Sequence, residues 1–294
     1  MARTNHVAAL AAGALLALLS LLAPSRATAG PWTPEPGEGY AKLWIKWLPG
    51  FGYHAGNGDT YDYGAYHELF LATYGELGLA DGLALTWHTE LARFFSLVDP
   101  RTGQSDAHLA PGDPALGLRW RFLRADRFVM AVEASLRAPL ASDDPAQTVY
   151  ADAPGNPEIG RLRIGSGVFD VTALVSGGYG WDRTYVAAGA GWVARTGGYD
   201  HALVWTAELG GTFSETLSGR IRLSGYHSIR TGDDPRDESP SGIGNGTSYT
   251  GVAIEGEWQF TERWYLGLTL EGGALGVRRQ TGGPVISPFL ATRF

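Results

Sequence analysis

The chain has seven histidines, many carboxylates and hydroxyls, and no cysteine. The lack of thiols excludes a disulfide framework, a thiolate metal site, a Cys nucleophile and a lipid-modified N-terminal Cys. His227 and Ser228 are adjacent, but neighbouring strand residues point to opposite faces, so they do not form a dyad. His54, His67, His108 and His201 have Asp59, Asp62, Asp106 and Asp200 nearby in sequence. A His–Asp pair could activate water, although such polar segments read more simply as solvated loops. Asp233, Asp234, Asp237 and Glu238 concentrate carboxylates that could hold calcium through oxygen ligands or bridge lipopolysaccharide cations. A solvated acidic loop is the simpler reading. No Gly-x-Ser-x-Gly, phosphate-binding glycine loop or His-Glu-x-x-His occurs. Asn245-Gly246-Thr247 matches a glycosylation triplet, but such short matches are common by chance. No catalytic, cofactor or metal residues are assigned.

The charged residues that stand out instead lie on alternate positions of apolar segments. Lys42, Lys46, Arg119, Arg121, Arg137, Arg220, Arg222 and Arg293 share one phase with Glu68, Glu76, Glu90, Glu133, Asp170, Glu208, Glu255, Glu257 and Glu271, and His88 joins them. The opposite phase is apolar. An Arg or Lys on the lipid face of a barrel costs about 2–4 kcal/mol at the bilayer midplane, so this phase requires a polar interior. Two roles are open to it. The charges neutralise one another across strands, or Arg119, Arg121, Arg220 and Arg222 form a ladder that attracts carboxylates. In the hairpin spanning 231–248, Arg222 is expected opposite Glu257. In the hairpin spanning 97–114, Arg121 is expected opposite Glu90, with Arg119 and Glu133 one step diagonal.

The elements that position these residues follow from a period of two. Ala41, Leu43, Ile45 and Trp47 alternate with Tyr40, Lys42, Trp44 and Lys46, and Leu217, Ile221 and Leu223 alternate with Ser218, Arg220, Arg222 and Ser224. Such runs predict strands at about 39–48, 66–79, 83–96, 115–124, 128–140, 166–181, 184–196, 202–214, 217–230, 249–260, 264–276 and 284–294. Every second connection is a tight turn, as at Ala80-Asp81-Gly82, Ala125-Asp126-Arg127 and Thr261-Glu262-Arg263. The others are mostly long, at about 49–65, 97–114, 141–165 and 231–248. This sorting predicts an all-β fold: a single twelve-stranded antiparallel transmembrane β-barrel with short periplasmic turns and long extracellular loops. Aromatic girdles are expected from Phe122, Phe128, Trp181, Tyr185, Phe213, Phe260, Trp264 and Phe294 beside the turns. A second set, Trp47, Phe94, Phe169, Trp192 and Trp205, lies toward the loops.

Composition agrees. The formal net charge of −7 argues against a nucleic-acid partner, and 44% hydrophobic residues exclude global disorder. Residues 1–29 read as a secretory signal peptide, with basic Arg3, an apolar run from Val7 to Ala23 and a small-x-small site at Ala27-Thr28-Ala29. Residues 30–38 are expected as a periplasmic lead-in that could alternatively tuck into the lumen, and 39–294 as the barrel.

The chain ends Pro288-Phe289-Leu290-Ala291-Thr292-Arg293-Phe294, which resembles the C-terminal signal of bacterial outer-membrane barrels. That resemblance implies outer-membrane lipid and lipopolysaccharide as surroundings and the barrel-assembly machinery as a partner of Phe294. Gly112-Asp113-Pro114-Ala115-Leu116-Gly117-Leu118-Arg119-Trp120-Arg121 is similar to a motif of outer-membrane channels associated with phenol meta-cleavage pathways. The match covers about ten residues and implies passive passage of small solutes, with hydrophobic or aromatic compounds as candidates. A rim hydrolase and an occluded structural or adhesive barrel are the rival readings.

Overall fold

The computed structural model describes residues 30–50, 52–61, 65–98, 103, 105–141, 163–229 and 244–294. The expected signal peptide and the acidic run at 233–238 lie outside them. The strands are β1 (Gly39–Gly50), β2 (Gly52–His54), β3 (Thr60–Tyr61), β4 (Ala65–Ala80), β5 (Leu83–Val98), β6 (Ser105–Ala110), β7 (Ala115–Ala125) and β8 (Phe128–Arg137). They continue with β9 (Asp170–Gly180), β10 (Thr184–Arg195), β11 (Ala202–Thr212), β12 (Leu217–Ser228), β13 (Ser248–Gln259), β14 (Trp264–Arg278), β15 (Gln280–Gly282) and β16 (Pro284–Arg293). Twelve of them close an antiparallel barrel in the order β4-β1-β16-β14-β13-β12-β11-β10-β9-β8-β7-β5, sealed by the β4–β5 pairing. Closure pairs every strand on both sides and removes the exposed sheet edge.

Strand β6 pairs antiparallel with the second half of β5, beyond the part that β7 takes, and β15, β2 and β3 form a small separate sheet, all at the long-loop end. The long connections are therefore partly structured where sequence patterning gave only loops. At the opposite end the turns are tight. Gly82 supplies a positive φ of 73° and Asp126 one of 53°, the latter tolerated because a short polar side chain can bond its own backbone.

The outward phase is apolar and exposed: Leu43, Ile45, Leu116, Leu118, Leu266, Leu268 and Leu270 belong to it. Exposed Phe122, Phe128, Trp181, Phe213, Phe260, Trp264 and Phe294 ring the tight-turn end. Tyr185, grouped with that girdle on sequence, is a correction: its ring points inward and is buried, because its parity on β10 is that of the lumen.

Two further corrections concern the register. Arg222 faces Ala253, while Arg220 faces Glu255 and Ser218 faces Glu257. The expected Arg222–Glu257 pairing is thus displaced by two inward positions. Arg121 does not face Glu90. Strand β7 meets β5 with Arg119 opposite Ala84, and Arg119 stands directly opposite Glu133 on β8 rather than diagonal to it. The Arg222 and Arg121 errors come from loops too long for turn geometry to fix the register, whereas Arg119 is brought opposite Glu133 by a bulge between Arg121 and Leu123, which shifts β7 by one residue against β8.

Candidate functional site: the barrel lumen

The inward phase carries the charges, and most are joined in pairs. Lys42 Nζ lies 2.7 Å from Glu255, which also takes Arg220 Nη2 at 2.7 Å and the Thr269 hydroxyl at 2.7 Å. Lys46 meets Glu271 at 3.0 Å and Arg293 meets Glu257 at 3.7 Å. Arg119 is a buried hub that donates to Glu76 at 2.6 Å and to Glu133 at 2.8 Å. Several pairs skip strands: Lys42 on β1 reaches β13, and Arg119 on β7 reaches β4. A closed barrel brings such side chains together across its interior.

Arg121 pairs instead with Asp81 at the turn, at 2.7 Å. Arg137 and Arg195 share Asp170 at 3.4 and 3.1 Å, near the long-loop end. Glu90 meets Arg93 at 3.6 Å.

Arg93 and Arg195 were not among the sequence candidates. Strict alternation sends Arg93 to lipid, but the β4–β5 register slips between Leu71 and Ala72, making Leu91 the extra residue. Beyond this bulge the parity of β5 inverts, so Arg93, Phe95 and Leu97 are buried inside. Arg93 donates to Glu68 at 2.8 Å and to the Ile164 carbonyl at 2.9 Å. Its guanidinium lies 4.6 Å from the centres of both the Phe70 and Phe95 rings. Leu48, Tyr53, Tyr66, Phe70, Phe95, Leu97 and Ile164 form an apolar cluster around it. Arg195 lies on the inward parity of β10 with Val193, a signal the sequence did contain.

The segment before β1 turns inward, contrary to the expected lead-in. Pro31 and Thr33 are buried, and the Trp32 ring meets Tyr185 edge-on at 5.4 Å. Gly178 makes room for it, since a Cβ there would stand 2.5 Å from Trp32 and 2.9 Å from Pro31. The Trp32 carbonyl lies 3.5 Å from Arg119. Apolar Pro31 and Trp32 leave water by filling the space that the small lumen-facing residues of β9 and β10 leave open.

A cavity of about 1340 Å³ remains beside this segment. It reaches from Gly52, His54, Thr60 and Gln280 at the long-loop end to Arg183, Glu215, Thr216 and Gln259 at the tight-turn end. Lys42, Lys46, Glu68, Glu76, His88, Glu90, Glu208, Arg220, Arg222, Glu255, Glu257, Glu271 and Arg293 line it, with Trp44, Phe70 and Tyr249. Arg119, Arg121, Glu133, Arg137 and Asp170, expected as lining, do not. Arg119 and Glu133 are spent on the hub beside the inward segment, and the others sit at the barrel ends. At the rim, Ser228 donates to Asp200 at 3.2 Å while His227 faces Thr250 at 3.4 Å, so the two diverge.

A closed barrel with an apolar exterior, one-sided long loops and a charged interior cavity has the architecture of an outer-membrane channel. Its fold is similar to that of an outer membrane channel from Pseudomonas putida F1, with a TM-score of 0.61 at 14% identity over 92% of this chain and 100% of that one. The NanC porin aligns with a TM-score of 0.50 at 8% identity, over 86% of this chain and 98% of that one. No family model matches the sequence, and no curated protein matches it.

Proposed function

We propose that the protein is a passive channel of the bacterial outer membrane that conducts small solutes through a narrow, charged lumen. One observation carries the reading: a cavity of about 1340 Å³ whose lining residues come from both barrel ends and include Gly30 of the N-terminal segment. Twelve strands fall between small barrels filled by their own side chains and large open porins, so solutes of modest size suit it. Paired charges give the lumen a near-balanced field and hence weak ion selectivity. Trp44, Phe70 and Tyr249 add aromatic surface to the walls, which together with the Gly112–Arg121 motif supports aromatic compounds as part of the solute class. Outer-membrane lipid and lipopolysaccharide surround the apolar belt, and the assembly machinery reads the strand ending in Phe294. The diverging His227 and Ser228 support a channel over a rim hydrolase. Liposome swelling tests the proposal: vesicles holding the folded protein swell in small sugars and phenol but not in large oligosaccharides, and no swelling in any solute overturns it.

A further inference from the structure

Among the lumen bases that line the cavity, Lys42, Lys46, Arg93, Arg220 and Arg293 each hold a carboxylate. Arg222 differs. Among the described residues it has neither an ion pair nor a hydrogen bond, although it lines the cavity and is only half-buried. The reason lies in its neighbours. On β11 it stands opposite Glu208, but that carboxylate accepts from the Tyr185 hydroxyl at 2.5 Å and meets Arg220 at 3.6 Å. On β13 its partner is Ala253, which offers nothing polar. Glu271, within electrostatic range of Arg222, is held by Lys46.

Hydroxyls lie beside it. Ser224 is the next inward residue on β12, about 7 Å along the strand, and stands opposite Thr206. Both line the cavity. A guanidinium fork matches a carboxylate with two parallel N–H···O bonds, and the hydroxyls can donate to an oxygen that overhangs it. The nearby Glu271 disfavours a second negative charge on the ligand.

From this geometry we infer that Arg222 anchors a binding site for a small monocarboxylate inside the lumen, with Ser224 and Thr206 as its hydroxyl donors. The inference deepens the channel reading and rests on it. It also replaces a four-arginine ladder with a single uncommitted cation, since Arg119, Arg121 and Arg220 are all paired.

The test is titration of the folded, detergent-solubilised barrel with carbon-13-labelled acetate, read by NMR line broadening, with labelled succinate as the divalent comparison. Arg222→Gln weakens acetate binding by about tenfold or more, because the charge-assisted bonds are lost. Arg222→Lys retains part of it, and Arg121→Gln leaves it unchanged. Wild type prefers acetate to succinate. Acetate binding within twofold of wild type in Arg222→Gln overturns the site. Should that variant fail to fold, Thr206→Val combined with Ser224→Ala serves in its place: at least a threefold loss is expected, and an unchanged titration overturns the site. Single-channel recording in potassium acetate separates the two readings. A silent barrel that still binds acetate through Arg222 removes only the channel, whereas a conducting barrel without Arg222-dependent binding removes only the site.

Discussion

Replacing Arg119 with Met is the sharpest test of how the lumen is held together. The guanidinium is buried and joins Glu76 at 2.6 Å and Glu133 at 2.8 Å, with the Tyr74 hydroxyl at 3.4 Å. The side chain of Glu76 is 3% exposed, so its loss of partner is not made good by water, whereas that of Glu133 is 22% exposed and can be solvated. Removing one member of a buried pair costs about 3–5 kcal/mol because an uncompensated charge stays behind. The expected destabilisation therefore falls in that range and is assigned chiefly to Glu76. Adding Glu76→Gln removes the stranded charge, so the double variant should recover about half the loss. That non-additivity is what a double-mutant cycle measures between touching groups. Guanidinium unfolding in phospholipid vesicles, followed by tryptophan emission, gives the numbers. An Arg119→Met variant within about 1 kcal/mol of wild type, with no gain from the second substitution, would refute the argument that the hub is desolvated.

Three other outcomes follow from the same contacts. Gly178→Val should expel the inward segment, because its Cβ meets Trp32 at 2.5 Å, and should raise single-channel conductance in parallel with Trp32→Ala; unchanged conductance in both would mean that the segment does not narrow the path. Deleting Leu91 removes the bulge but leaves Glu90 and Ala92 opposite Ala72 and Leu71 in unbroken register, with Arg93, Phe95 and Leu97 still facing inward, so the barrel should keep its heat-modifiable folded band on gels, while loss of that band would contradict Leu91 as the extra residue. Arg220→Gln takes one cation from Glu255 but leaves Lys42 at 2.7 Å, so the unfolding loss should be smaller than for Arg119→Met, and an equal or larger loss would show that Lys42 does not compensate.

The barrel itself was legible because lipid and lumen impose a period of two that no soluble helix shares, and because turn chemistry marks one end of every hairpin. Leu43, Ile45 and Trp47 against Lys42, Trp44 and Lys46 place β1 without further information. Pairing was not legible. Arg222 and Glu257 are separated by a long connection, and the alternation is satisfied equally well after a slide of four residues. Arg93 was hidden for a different reason: a bulge adds one residue and inverts parity, yet nothing in Thr-Glu-Leu-Ala-Arg announces it. The pairs Lys42–Glu255 and Arg119–Glu76 were invisible because they cross the closed interior between strands that are not neighbours. The inward turn of Pro31 and Trp32 depends on the gap above Gly178 and Tyr185, which exists only once the barrel closes.

The central claim is that the charged lumen is an open path. Planar bilayers containing the folded chain test it most directly. The structure predicts stable, discrete single-channel steps with weak ion selectivity in symmetric potassium chloride, and larger steps for Trp32→Ala. Protein shown to be folded and inserted, yet electrically silent both as wild type and as Trp32→Ala, would contradict it.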